Sequence, residues 1–154
     1  MPDVLLAVGT RKGLFLGRRR AGTWEFDGPH FTGEAVYAVG LDLRGPVPRV
    51  LVGADSAHWG PSVFRSDDLG ASWQEPASPT VRFPKDTGTS LERLWQLQPA
   101  GPEAPGVVYA GAEPAALFVS RDGGDSFELV RRSGSIRRGP GGSREAAARD
   151  CTPW

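Results

Sequence analysis

The chain writes one eight-residue phrase twice, SDDLGASW from Ser66 to Trp73 and SRDGGDSF from Ser120 to Phe127. Both read Ser-x-Asp-x-Gly-x-Ser-aromatic. Those residue types suit a tight turn: the carboxylate accepts backbone N–H bonds, the glycine takes a positive φ, and the closing ring drops into an apolar layer. A decayed third copy, GRRRAGTW from Gly17 to Trp24, has Arg19 and Ala21 in place of the aspartate and the glycine. Aligning the closing aromatics puts Trp24, Trp73 and Phe127 in register, 49 and 54 residues apart. A period near fifty is that of propeller blades.

Other segments fall into the same register. Leu14-Phe15, Val63-Phe64 and Leu117-Phe118 precede the phrase by equal distances, and LLAVGT, VLVGAD and VYAGAE lie upstream as short apolar runs closing on Gly9, Gly53 and Gly111. EAVYAVGLDL and LERLWQLQP open the second and third repeats. Alternation and β-branched or aromatic enrichment between Gly/Pro/Asp clusters predict strands a to d in each unit. Their spans are b 4–9, c 13–18 and d 23–27, then a 35–43, b 48–54, c 62–66 and d 72–75, then a 91–98, b 106–111, c 115–120 and d 126–130. The first repeat lacks an a strand. With 21 glycines and 14 prolines in 154 residues, many turns joining short strands are expected. The reading is all-β: a partial β-propeller of about three blades of four-stranded antiparallel sheet, at 3–27, 34–76 and 91–130.

The repeated phrase resembles the Asp-box of bacterial neuraminidase (BNR) repeats, matched at Ser66, Asp68, Gly70, Ser72 and Trp73 and at Ser120, Asp122, Gly124 and Ser126, with Phe127 a tolerated variant. More broadly, GTRKGLF, GPHFTGEAVYAV, HWGPSVFRSDDLG and AGAEPAALFVSRDGGDSF look like a bacterial group of this sialidase-like, glycosyl hydrolase-like superfamily. The superfamily includes sialidases, other glycoside hydrolases and non-enzymatic propellers such as photosystem II assembly factors. The resemblance covers about residues 3–130 and implies a propeller with more blades than this chain contains.

Bulk properties narrow the partners. Formal charge is zero and pI is about 6.7, so no global field draws nucleic acid or an acidic membrane. The cancellation is uneven: residues 1–130 carry net −4 and residues 131–154 net +4. That last segment has six arginines, no alternation and no blade motif, and reads as a disordered basic tail or as an out-of-frame extension of a GC-rich gene. The lone cysteine, Cys151, excludes an intrachain disulfide. The opening MPDVLLAVGTRKG carries an acid where a signal peptide wants base, and reads as the first strand of a cytoplasmic protein.

In a four-stranded blade the c–d turns lie on one rim and the b–c loops and d–a links on the other. Asp68 and Asp122 therefore read as turn staples. The opposite rim is expected to hold ligand-binding candidates: Arg11 and Lys12, then Asp55, His58 and Trp59, then Glu113 from b–c loops, with His30, Phe31, Glu34, Arg82, Lys85, Glu92 and Arg93 from d–a links. Carboxylates, guanidiniums and a tryptophan together suit a carbohydrate or small polar ligand. His58 and Trp59 lead because GADSAHWGPS is longer than its counterparts. No zinc-ligand spacing, G-x-S-x-G, Walker A or dinucleotide fingerprint appears, so neither a metal nor a cofactor is expected.

Two functions follow. One is a binding or scaffold propeller. The other is a glycoside hydrolase resembling an exo-α-sialidase, for which the resemblance implies three arginines, a tyrosine nucleophile paired with a glutamate, and an acid/base aspartate. The Phe-Arg-Ile-Pro motif of that class is missing, and Tyr37 and Tyr109 alternate within strands as core residues would. Phe15, Trp24, Phe118 and Phe127 are expected on blade faces left open at the ends of the arc, which predicts self-association.

Overall fold

The computed structural model describes residues 4–57, 60–76 and 78–131. They form three antiparallel sheets. Strands β1 (Val4–Thr10), β2 (Gly13–Arg20) and β3 (Thr23–His30) make the first, and β4 (Val36–Asp42), β5 (Arg49–Ser56) and β6 (Gly60–Ser66) the second. The third orders β10 (Glu128–Leu129), β9 (Ala116–Ser120), β8 (Val108–Glu113) and β7 (Arg93–Pro99) from one edge to the other. A 3₁₀ turn at Lys85–Thr87 interrupts the link between the second and third sheets. The edge strands β1, β4 and β7 lie against one another in series, and each successive pair of sheets encloses its own apolar core. The protein is thus an all-β arc of propeller blades.

Three hairpins depart from their expected limits. The first blade closes its β2–β3 hairpin with Ala21 and Gly22, both at positive φ (48° and 92°). That is the pattern of a two-residue type I′ turn, whose twist matches the flanking strands; the decayed phrase has been replaced by a different turn, and β3 runs on to His30. The expected d strand at 72–75 is reduced to a single bridge between Arg65 and Gln74. Pro76, Pro79 and Pro84 follow closely, and proline cannot extend a ladder. Thr80 takes over part of the vacated edge: its Oγ1 accepts from the Val63 N–H at 3.1 Å, and its carbonyl accepts from the Phe127 N–H at 3.1 Å, tying the second blade to the third. In the third blade, strand d shrinks from 126–130 to Glu128–Leu129.

Side-chain alternation sorts each sheet into two faces. Leu14 and Leu16 of β2 pack on Val36, Val50, Val52, Ala54 and Phe64 of the second blade, joined by Phe31 and Trp73. One blade along, Leu51 and Val63 pack on Leu94, Val108, Ala110, Phe118 and Phe127. Equivalent positions therefore do equivalent work: Phe64 and Phe118 face the preceding blade, while Leu14 and Val63 face the following one. This corrects the expectation that Phe118 and Phe127 lie on an open face. Phe118 is wholly buried and meets Phe83 edge to face at 5.2 Å.

Trp24 lies on an open face as expected, and the other exposed positions belong to further members of the same series. On the first blade Val4, Leu6, Val8, Trp24 and Phe26 are exposed, and the Trp24 and Phe26 rings stack at 5.8 Å. On the third blade Tyr109 and Leu117 are exposed. Tyr109 is therefore not a core residue, contrary to its alternation. Its neighbours in register, Val108 and Ala110, fill the core because the preceding blade covers that side only.

Candidate functional site

Each copy of the repeated Ser-x-Asp-x-Gly-x-Ser phrase is closed by a ring of hydrogen bonds. Buried Ser66 Oγ donates to Asp68 Oδ1 at 2.7 Å and accepts from the Gly70 N–H at 2.7 Å. Asp68 also accepts from the Ser72 N–H at 2.9 Å and the Ser72 hydroxyl at 2.5 Å. Leu69 and Gly70 both turn through positive φ, and a Cβ on Gly70 would strike Leu16 of the first blade, so glycine is required twice over. Ser120, Asp122, Gly124 and Ser126 repeat the ring at nearly the same distances.

These bonds hold both carboxylates ionised. Hydroxyl bonds from Ser72 and then Ser66 take Asp68 down to about 2. Burial raises Asp122, but the Ser126 and Ser120 hydroxyls with two backbone N–H groups outweigh it, and it also falls to about 2. A carboxylate saturated in this way is a staple rather than a proton donor.

The opposite rim carries a second cluster, at the seam between the second and third blades. Matching irregularities build it. Strands β4 and β5 slip register between Val36 and Ala38, and β7 and β8 slip between Leu94 and Gln96. The residue displaced at each bulge is aromatic, Tyr37 in one blade and Trp95 in the next. A bulge re-aims the side chain it carries, and here the two rings meet edge to face at 5.6 Å. Arg93, opening β7, lays its guanidinium 4.6 Å from the Tyr37 centroid and 4.9 Å from that of Trp95. Its Nη1 donates to Glu113 Oε2 at 3.1 Å, directly across the β7–β8 ladder. Asp55 completes the group: burial pushes its carboxyl up, and the Arg93 charge pulls it down.

Of the residues expected at this rim, Asp55, Arg93 and Glu113 come together. All three lie in strands, β5, β7 and β8, rather than in loops or links. Glu34 lies just before β4, its N–H bonded to the Phe31 carbonyl at 3.0 Å. Arg11 and Lys12 are exposed in the β1–β2 turn, on the same rim one blade away. Glu92, Arg82 and Lys85 are exposed, the last two in the link before β7.

His30 is placed elsewhere than expected. It ends β3 inside the seam of the first two blades, where Nδ1 accepts from the Trp73 indole N–H at 3.3 Å and Nε2 stands 3.2 Å from the Asp27 carboxylate. Phe31 packs on Phe64 and Trp73 at 4.9 Å each, a core role. His58 and Trp59 lie outside the described residues. Tyr37 and Trp95 escaped sequence reasoning; the signal was their shared place in the two a strands, one residue before Ala38 and Gln96.

Two clefts among the described residues lie away from this cluster. One of about 300 Å³ lies among Arg65, Gln74, Thr80 and Asp125, and one of about 460 Å³ among Phe83, Lys85, Phe127 and Arg131. Within the seam cluster Trp95 is 51% exposed. Among the described residues no group of three or more His, Cys, Asp or Glu is placed to hold a metal ion.

No family model matches the chain, and no curated protein matches it. A solved structure of YCF48 bound to D1 peptide is similar to it, with 16% identity and a TM-score of 0.49 over 79% of this chain and 34% of that one. The chain thus spans about a third of the length of that protein.

Proposed function

We propose that the protein is a non-catalytic Asp-box (BNR-type) propeller module that binds a polar partner on the rim opposite its Asp-boxes, at the seam of the second and third blades. The observation that carries this reading is the Arg93 guanidinium held 4.6 Å from Tyr37 and 4.9 Å from Trp95, by bulges at equivalent positions of two blades. The bulges disrupt both ladders where an unbroken strand would have been simpler, and bulges gather where a side chain must be re-aimed. The exposed Trp95 ring offers a stacking face, and the edges of Arg93, Glu113 and Asp55 offer donors and acceptors beside it.

Overlapping dodecapeptides on an array, together with N-acetylneuraminic acid and lactose in solution titrations, provide the test. The wild-type chain should bind a subset that a Trp95→Ala/Arg93→Ala variant does not. Equal binding by both chains removes the reading.

Glycoside hydrolysis resembling that of exo-α-sialidases is the second reading, and one observation favours it: burial holds the Asp55 carboxyl above its ordinary value against the opposing Arg93 charge, the direction a general acid needs. The cluster supplies one arginine where that chemistry grips its substrate with three. Release of the fluorophore from a 4-methylumbelliferyl sialoside, abolished by Asp55→Asn, would establish hydrolysis in place of simple binding.

A further inference from the structure

The repeat gives every blade a face for its predecessor and a face for its successor. Residues at the Leu6 and Val8 positions face the preceding blade: their counterparts Val50 and Val52 pack on the first blade, and Val108 and Ala110 on the second. Phe64 and Phe118 do the same at the Phe15 position. Residues at the Leu14 position face the following blade, as Val63 does; their counterpart in the third blade is Leu117. Residues at the Leu51 position do likewise, and their counterpart there is Tyr109. The exposed apolar residues of the first and third blades are therefore the two halves of one interface that the protein has already built twice.

We propose that the face of the first blade that no described residue covers, carrying Leu6, Val8, Trp24 and Phe26, docks on the corresponding uncovered face of the third blade, carrying Tyr109 and Leu117, of a second copy of this chain. The contact is head to tail, so it continues the blade-to-blade stacking across molecules.

Polar contacts at the seams support the same partner. Arg18 of the first blade donates through Nη2 to the Leu69 carbonyl of the second at 2.6 Å. Gly123 holds the place of Leu69 in the next Asp-box, and its carbonyl accepts from Arg49 of the second blade at 3.1 Å. One guanidinium on the carbonyl after the box aspartate thus closes each internal seam. The third blade presents exposed Arg121 at the position of Arg18, and Arg20 stands in the first blade at the position of Leu69. Docking of a second copy brings Arg121 toward the Arg20 carbonyl. Each free face thus meets both its apolar complement and its hydrogen-bond complement.

A head-to-tail contact uses different surfaces on the two molecules, so it closes into a ring or extends. This gives a decisive experiment by sedimentation velocity on the 154-residue chain. Wild type should associate beyond the monomer, and Phe26→Glu and Leu117→Glu should each abolish that association. Both changes are at exposed positions, at 62% and 45%, and circular dichroism should match wild type. An equimolar mixture of the two variants, each keeping one intact face, should form a one-to-one dimer and nothing larger. A second pair, Leu6→Lys and Tyr109→Lys, should behave identically if either first variant misfolds. A monomeric wild type, single variants that still self-associate, or a mixture that remains monomeric would each overturn the proposal.

Discussion

Tyr37 and Trp95 occupy the same position in successive blades, and their rings meet edge to face at 5.6 Å across the seam, with the Arg93 guanidinium over both. Neither ring is buried in a core, so the pair is held by bulged backbone and by one cation. This separates what the pair does from what keeps the blades together, and the separation can be measured.

Trp95→Ala should change stability by less than about 1 kcal/mol, the usual range for a side chain away from the core. Phe118→Ala, by contrast, should cost about 3 to 5 kcal/mol, because it empties a fully buried site against Phe83. Urea unfolding of the two variants provides the comparison. A loss of several kcal/mol for Trp95 would make it a packing residue and remove it from the site.

Arg93→Met keeps much of the aliphatic stem and deletes the charge. Since that charge lowers the Asp55 carboxyl while burial raises it, the variant should titrate Asp55 at higher pH than wild type. Carboxyl carbon chemical shifts followed against pH report this directly. An unmoved Asp55 would mean that the two groups are not coupled.

Ser66→Ala should destabilise the second blade by about 1 to 3 kcal/mol. The Gly70 N–H bonds to the buried Ser66 hydroxyl and would lose its partner, and a buried unpaired donor carries its full desolvation cost. Ser66→Cys restores a weak acceptor and should recover part of the loss. Equal stability of wild type and alanine variant would show that the box is not a staple.

Acid should unfold the protein through the same motif. Asp68 and Asp122 both lie at about 2 when folded, below the ordinary aspartate value near 3.9. Their contribution is complete above about pH 4 and is lost as pH falls through 2, because protonation then favours the unfolded chain. Denaturant midpoints measured between pH 5 and 2 should fall, and Asp122→Asn should flatten the slope. A slope unchanged in the variant would assign the acid sensitivity to other carboxylates.

The sequence by itself determined the blades. Serine, aspartate and glycine at fixed offsets, closed by an aromatic, specify a turn from within eight residues. Two-residue alternation marks a strand with two different faces, and both signals are local. It also placed Asp55, Arg93 and Glu113 on one rim, although it set them in loops and a link where β5, β7 and β8 in fact run on to include them. Only the tertiary structure decided which face a neighbour covers. Phe118 and Tyr109 stand in equally regular strands, yet one is sealed and the other open, because a blade precedes the third and none among the described residues follows it. It likewise decided the bulges: one displaced residue in each a strand leaves no mark in composition, so the alternation that assigned Tyr37 to the core could not reveal that Tyr37 and Trp95 turn toward the same arginine. Local chemistry fixes a turn or a strand; the company a side chain keeps depends on which sheet lies next to it.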